Sequence, residues 1–354
     1  MGDEPYFTCN VDKIIQKLNL WKHELPNIDM YYAMKCNNDP VIIEKIVEYG
    51  FGFDCSSKEE IQTAIPLTKK IIFAHPVKMI SHLQYCLQND ISLITFDSLE
   101  ELDKLYGNKK FWKLLLRIEV KNTNATHPLN DKFGCPHSEV KSLILTALAR
   151  GFNVVGLSFH VGSGCSDHSI FEHMIRYCGE LFHFFSTLSI LDIGGGFNSD
   201  GEEFKRLASN IRFFIQQHIP ANIKIIAEPG RFIAQEAYDL HLKIIGKKIK
   251  HSEIHYYLND GLYGTLNSVL NSPKEKVIFE YPFPEDINGK TFDSTFWGPT
   301  CDSIDIIKKN VFVPELKVGD KIIVRNYGAY TRAIVSNFNG YGSFNVFYNL
   351  KIYR

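Results

Sequence analysis

Asp192-Ile193-Gly194-Gly195-Gly196-Phe197 closes one short apolar run, and Ala227-Glu228-Pro229-Gly230-Arg231 closes the next. Working outward from these two, the runs are 190–193 and 223–227, and six more lie upstream at 30–34, 51–55, 70–74, 91–96, 112–118 and 154–159. Between runs the apolar spacing turns helical, as in Val41, Ile42, Ile46 and Val47, or Val140, Leu143, Ile144 and Ala147. Eight strands alternating with helices predict an α/β fold of the (β/α)8 TIM-barrel type. An open doubly wound sheet alternates in the same way. The count of eight favours the barrel. So does the placement of the reactive residues just after the runs, because in a barrel those positions meet at one rim.

After about residue 236 the texture changes. Runs at 238–245, 276–279, 311–313, 321–325 and 343–347 read as strands, with turns at Asn288-Gly289 and Gly319-Asp320. The expected organisation is a barrel over 11–236 and a mostly β domain over 237–354, to which residues 1–10 add a strand. The 354 residues suit one large and one smaller domain, and 45% hydrophobic content suffices for a sizeable core. A formal net charge of −1 gives no footprint for nucleic acid and no polybasic membrane patch, so a small substrate is expected. The start of the chain lacks a signal-peptide pattern, and no apolar run is long enough to span a membrane. The eight cysteines form no CxxC pair, which fits free thiols in a cytoplasmic protein.

Lys35 ends the first run, where an aldehyde cofactor would need an amine, although most lysines are solvated surface groups. The glycines after runs seven and eight let backbone N–H groups approach a phosphate, and Arg231 adds a bidentate charge. Glu228 could sit beside a pyridine nitrogen and keep it protonated, or simply pair with Arg231. His160, in Ser158-Phe159-His160-Val161-Gly162-Ser163, could lie against a cofactor ring, with Ser163 on its phosphate; a lone histidine at a strand end is more often structural. In Trp297-Gly298-Pro299-Thr300-Cys301-Asp302 a tight loop presents a thiol and a carboxylate side by side. Cys301 could return a proton and Asp302 could bind an ammonium, or the segment is a turn with a half-buried cysteine. No metal is called for.

Taken together, the strings YAMKCN, FGFDCSSKEEI, KFG, SFHVGSGC, LDIGGGF, AEPGRF, YYLNDGLYG, WGPTCDSID and GAYT, in this order, resemble the eukaryotic-type ornithine decarboxylases. These are fold-type III pyridoxal-5′-phosphate (PLP) enzymes with an alanine-racemase-like barrel. The similarity runs from about Tyr6 to Tyr348. It implies that Lys35 is the Schiff-base lysine, with Asp54 and Glu60 at the barrel mouth and Arg117 shaping the site nearby. His160 would stack on the pyridoxal ring, and Glu228 would bond its nitrogen. Ser163, Gly196, Gly230, Arg231 and Tyr330 would hold the phosphate. Tyr263 would lie at a subunit interface, Cys301 and Asp302 would reach into the partner subunit's site, and Phe338 would line the pocket. Lys132 and Asp305 match a pair that bridges subunits, so the resemblance implies a homodimer with shared sites.

The implied reaction is decarboxylation of L-ornithine to putrescine. Three departures bear on it. The family's acidic residue nine positions after the tyrosine of its LYG motif is Ser272 here, which puts the substrate-binding set, not the chemistry, in question. The N-terminal segment is expected to be shorter than usual, and with Arg354 as the last residue the degradation tail of the vertebrate enzymes is not expected. The alternatives are a decarboxylase for lysine, arginine or diaminopimelate, and a non-catalytic antizyme-inhibitor-like relative. The retention of Asp54, His160, Glu228, Pro229, Arg231 and Cys301 argues against the last. Antizyme is a candidate partner through residues 78–112, whose charge pattern equally suits a solvated face.

Overall fold

In the computed structural model every one of the eight upstream runs becomes a parallel strand. The structure describes residues 2–121, 125, 131–271, 279–281 and 290–349. After strand β1 (Tyr6–Cys9) and helix α1 (Val11–Glu24) come β2 (Ile28–Ala33), β3 (Gly52–Cys55), β4 (Ile71–Phe73), β5 (Leu93–Phe96), β6 (Lys113–Ile118), β7 (Asn153–Phe159), β8 (Ile190–Asp192) and β9 (Lys224–Ala227). Strands β2 to β9 pair in sequence order, and β9 returns to β2, closing the barrel. The helices between them are α2 (Pro40–Glu48), α3 (Lys58–Ala64), α4 (Ile80–Gln88), α5 (Leu99–Asp103), α6 (Val140–Ala149), α7 (His168–Phe184) and α8 (Gly201–His218).

Strands covered on both faces read as unbroken apolar runs. Strands β3 and β4 are buried at every position. Tyr31, Ile72, Ala74, Leu115 and Ile226 meet in one core cluster. The helix starts are fixed by side chains that satisfy orphan backbone donors. Asp39 accepts from Val41 N ahead of Pro40, Asp167 from Ser169 N, and Asp200 from Glu203 N.

By its contacts the chain divides into two compact units, Gln16–Ile233 and Met1–Ile15 with Ala234–Arg354. The first is the barrel. The second is a sheet in the order β12 (Phe279–Glu280), β15 (Lys321–Val324), β10 (Tyr238–Lys250), β11 (Glu253–Leu258), β13 (Phe292–Trp297) and β14 (Ile306–Val313). Strand β1 joins it beside β10 and pairs on its other side with β16 (Asn345–Tyr348). Strand β10 runs well past the expected residue 245, and β11 and the start of β14 extend the sheet beyond the runs read from sequence. The turn expected at Asn288-Gly289 and the first part of the 276–279 run lie outside the described residues.

Behind the barrel's glycine turns sits an aromatic cluster. Trp21 is fully buried, with its ring 5.0 Å from Phe197, 5.6 Å from Phe204 and 6.1 Å from Phe232, and its indole N–H donates to Ile28 O at 3.2 Å. Phe197 directly follows Gly196, and Phe232 directly follows Arg231. The packing therefore anchors both turns from below. Truncating Trp21 to alanine should cost roughly 3–5 kcal/mol in urea unfolding. A loss smaller than about 1 kcal/mol would show that the cluster collapses around the gap and is not the anchor.

Candidate active site

The residues that follow the barrel strands converge. Lys35 lies in a one-turn helix, Met34–Cys36, directly after β2, and its ammonium is paired with Asp54 Oδ2 at the end of β3. Asp54 is fully buried, and its other oxygen, Oδ1, has no hydrogen-bond partner among the described residues. Glu60, in the first turn of α3, accepts from Ser56 N at 2.6 Å; burial raises its carboxyl pKa, and the nearby Asp54 charge adds to the rise. Arg117 on β6 has its guanidinium over the Phe133 ring at 5.3 Å.

Asp192 ends β8 and accepts from Gly194 N at 2.8 Å and from Ser158 Oγ at 3.3 Å. Glu228 follows β9, is buried, and is held by its own N–H to Gly194 O at 2.7 Å. Its Oε1 has no hydrogen-bond partner among the described residues. Burial pushes its carboxyl pKa well above the usual range, and the charges of Asp192 and Asp54 push it further. The Asp192 carboxyl is itself pushed up to about 6, chiefly by burial. Arg231 does not need Glu228 to fix it, since its Nε donates to Ser163 Oγ at 3.1 Å.

His160 accepts from Gly162 N through Nδ1 at 3.0 Å. Burial, with the cations Arg117 and Lys35 nearby, lowers its pKa well below the usual histidine value, so the imidazole is neutral. Its Nε2 lies 2.8 Å from where a Cβ on Gly195 would stand. Gly196 adopts φ +108°, a conformation that favours glycine, and a Cβ there would meet Gly162 O at 2.9 Å. A Cβ on Gly230 would stand 2.7 Å from Cys36 Cβ. Two bare glycine turns, an arginine paired to a serine, and a buried carboxyl oxygen without a partner fit a phosphorylated pyridine carrying an aldehyde.

The second unit carries a separate cluster. The Tyr263 hydroxyl donates to Asp302 Oδ2, and Ile304 N donates to Oδ1 at 3.0 Å. The tyrosine bond holds the Asp302 carboxylate below its ordinary pKa, and the same bond raises the pKa of the tyrosine hydroxyl. Phe338 stacks near Tyr263 with ring centroids 4.5 Å apart, and the neighbouring Asn339 accepts from Cys301 N at 3.0 Å. Cys301 is the exposed cysteine, while the other seven are buried, and all eight are free. Tyr330 has a left-handed backbone, φ +55°, uncommon for a bulky residue and typical of functional positions. Ser272 lies outside the described residues.

Sequence reading assigned no role to Asp192, Ser158 or Asn339. Asp192 belongs to the glycine motif that closes the seventh run, but a strand-end acid gives no sign in sequence that it will be buried beside a second one. The structure brings Lys35, Asp54, Arg117, His160, Asp192 and Glu228 to one end of the barrel, and Tyr263, Cys301, Asp302 and Phe338 to one edge of the other unit.

Residues 11–235 match the family model described as pyridoxal-dependent decarboxylase, pyridoxal binding domain. The chain is 38% identical to the ornithine decarboxylase of Caenorhabditis elegans, covering 96% of this chain and 86% of the worm protein. It is 33% identical to antizyme inhibitor 2 of Xenopus laevis, over 96% of this chain and 79% of that protein. Among solved structures it is similar to the arginine decarboxylase of Paramecium bursaria Chlorella virus bound to agmatine, with a TM-score of 0.92 and 32% identity over 98% of this chain and 96% of the viral one.

Asp192 keeps its proton to higher pH in the folded chain, from an ordinary 3.8 up to about 6. Between those values the folded chain binds more protons than the unfolded one, so stability falls as pH rises through that window. Asp192→Asn should flatten that fall. Thermal melts of cofactor-free protein from roughly pH 4.5 to 7 check this, and parallel slopes in the two proteins would contradict it.

Proposed function

The chain belongs to the pyridoxal-dependent decarboxylases, and from that premise we propose that it converts L-ornithine to putrescine and carbon dioxide as a homodimer with shared sites. The observation that carries this reading is the buried Glu228, with its unpartnered oxygen, at the same barrel end as the Lys35–Asp54 pair. Bound at this rim, PLP supplies an electron sink for the pair left behind when the carboxylate departs, provided its ring nitrogen is protonated.

The chain's own residues divide the remaining work. Lys35 holds the cofactor's aldehyde carbon, and Asp54 aims the lysine. Glu228 holds a proton against the ring nitrogen, and its raised pKa suits a group that shares one. His160, kept neutral by burial and by its cationic neighbours, lies against the ring without adding charge. Arg231, Ser163, Gly196, Gly230 and Tyr330 take the phosphate. Asp302, braced by Tyr263, binds the distal ammonium of the substrate, with Phe338 alongside. Cys301 returns a proton to Cα.

The antizyme-inhibitor reading, open because of the Xenopus similarity, is disfavoured because Asp54, His160, Glu228, Pro229, Arg231 and Cys301 are all present in the sequence. The homodimer rests on the resemblance and on the exposed Cys301 beside the half-buried Asp302, which a second copy would cover. Among the described residues no helix is long and apolar enough to cross a membrane. The eight free thiols support a place in the cytosol.

Purified protein with PLP should release carbon dioxide from ornithine faster than from lysine, arginine or diaminopimelate. A clear preference for one of the others reassigns the substrate, and no release from any sinks the enzymatic reading. Lys35→Ala should abolish turnover. Mixing Lys35→Ala with Cys301→Ala chains should restore about a quarter of activity at random exchange, since one site of each mixed dimer is intact. No recovery after proven exchange would exclude shared sites.

A further inference from the structure

Strands β11 and β13 pair in parallel, from Ile254 opposite Ser294 to Tyr257 opposite Trp297, so the loops that follow them leave the sheet at the same end. One loop carries Tyr263, and the other carries Cys301 and Asp302. Between them lies Asp305, only 1% exposed. Its Oδ1 accepts from Leu262 N in the first loop at 2.7 Å, and its Oδ2 accepts from Thr300 Oγ1 at 2.6 Å and Thr300 N at 3.2 Å in the second. Its backbone closes the second loop on itself, with Asp305 N donating to Asp302 O at 3.1 Å and Gly298 N to Asp305 O at 2.8 Å.

The two glycines beside this carboxylate explain why it fits. A Cβ on Gly298 would run into the carboxylate, and so would one on Gly261, which would also stand 2.8 Å from Gly298 Cα. Neither glycine needs an unusual backbone; each leaves room for the carboxylate. Burying a carboxylate is costly even when it is hydrogen-bonded, and an apolar residue would fill the space with less penalty. What the carboxylate adds is direction, because charge-assisted bonds fix both loops to one point. The Tyr263–Asp302 contact is only half-buried and does not do this unaided.

We propose that Asp305 is a positioning residue, whose buried carboxylate ties the Tyr263 loop to the Cys301–Asp302 loop and sets the geometry in which they meet substrate. This rests on the roles given to Cys301 and Asp302 above. These bonds within its own unit stand beside the pairing with Lys132 across subunits that the resemblance implies.

The test is Asp305→Asn in the PLP-loaded enzyme. Asparagine keeps the volume but sets an amide donor against N–H donors. Hydrogen exchange at the Leu262 and Thr300 amides should quicken about tenfold or more while the rest of the sheet is unchanged. KM for the amino acid should rise about tenfold, with cofactor affinity unaltered because neither loop carries a residue assigned to the cofactor. Thr300→Val, which removes a single hydroxyl donor, should move both readouts the same way by less, and it carries the test if Asp305→Asn fails to fold. Unchanged exchange at both amides overturns the proposal. So does a weaker dimer with unchanged exchange, which would place Asp305 at the subunit contact. Should no amino acid be decarboxylated, the exchange result still decides the tie, so the two claims fail separately.

Discussion

Three carboxyl groups, Asp54, Asp192 and Glu228, are buried at one end of the barrel, and the cations Lys35 and Arg117 stand near enough to offset them in part. Everything else about this rim follows from that imbalance. Two acids side by side out of water cannot both ionise cheaply, so burial and mutual repulsion raise the pKa of both Asp192 and Glu228. A protein that wanted only stability would place apolar groups here. One that must keep a proton on a heterocyclic nitrogen gains from a carboxyl set deep in the wall with one oxygen unclaimed.

The scaffold explains how that imbalance is borne. Parallel strands deliver Asp54, Asp192 and Glu228 to one rim with backbone fixed by neighbouring strands, so the cost of burial is shared with the hydrogen bonding of the sheet. Gly194 links two of the acids directly, donating to the Asp192 side chain and accepting from the Glu228 backbone. The aromatic cluster around Trp21 stiffens the two turns from the other side. In the second unit one buried acid organises two loops in the same way, Asp305 standing to its loops as Asp192 stands to the glycine turn.

The barrel was legible because strands buried on both faces leave continuous apolar runs, and all eight runs fall on its strands. The second unit was less so. Strand β11 alternates buried and half-buried positions, and the far end of β10 is charged and exposed, so neither stands out from loop sequence. In the site, Lys35 was a weak signal alone, and the open choice for Glu228 between Arg231 and a ring nitrogen needed coordinates, which give Arg231 to Ser163 instead. The role of Asp192 was not readable, and for Asp305 the sequence offered the pair with Lys132 but not the tie between loops, because partners far along the chain, such as Ser158 for one and Leu262 for the other, make these contacts.

The central claim is that Glu228 keeps a bound pyridine ring protonated and so makes it an electron sink. The most direct measurement is carbon dioxide release per bound cofactor in Glu228→Gln, with PLP occupancy titrated in parallel. The account predicts that PLP still binds through Lys35, Ser163 and Arg231 while turnover per bound cofactor falls about 100-fold or more. Turnover per bound cofactor equal to that of the unaltered chain would contradict it.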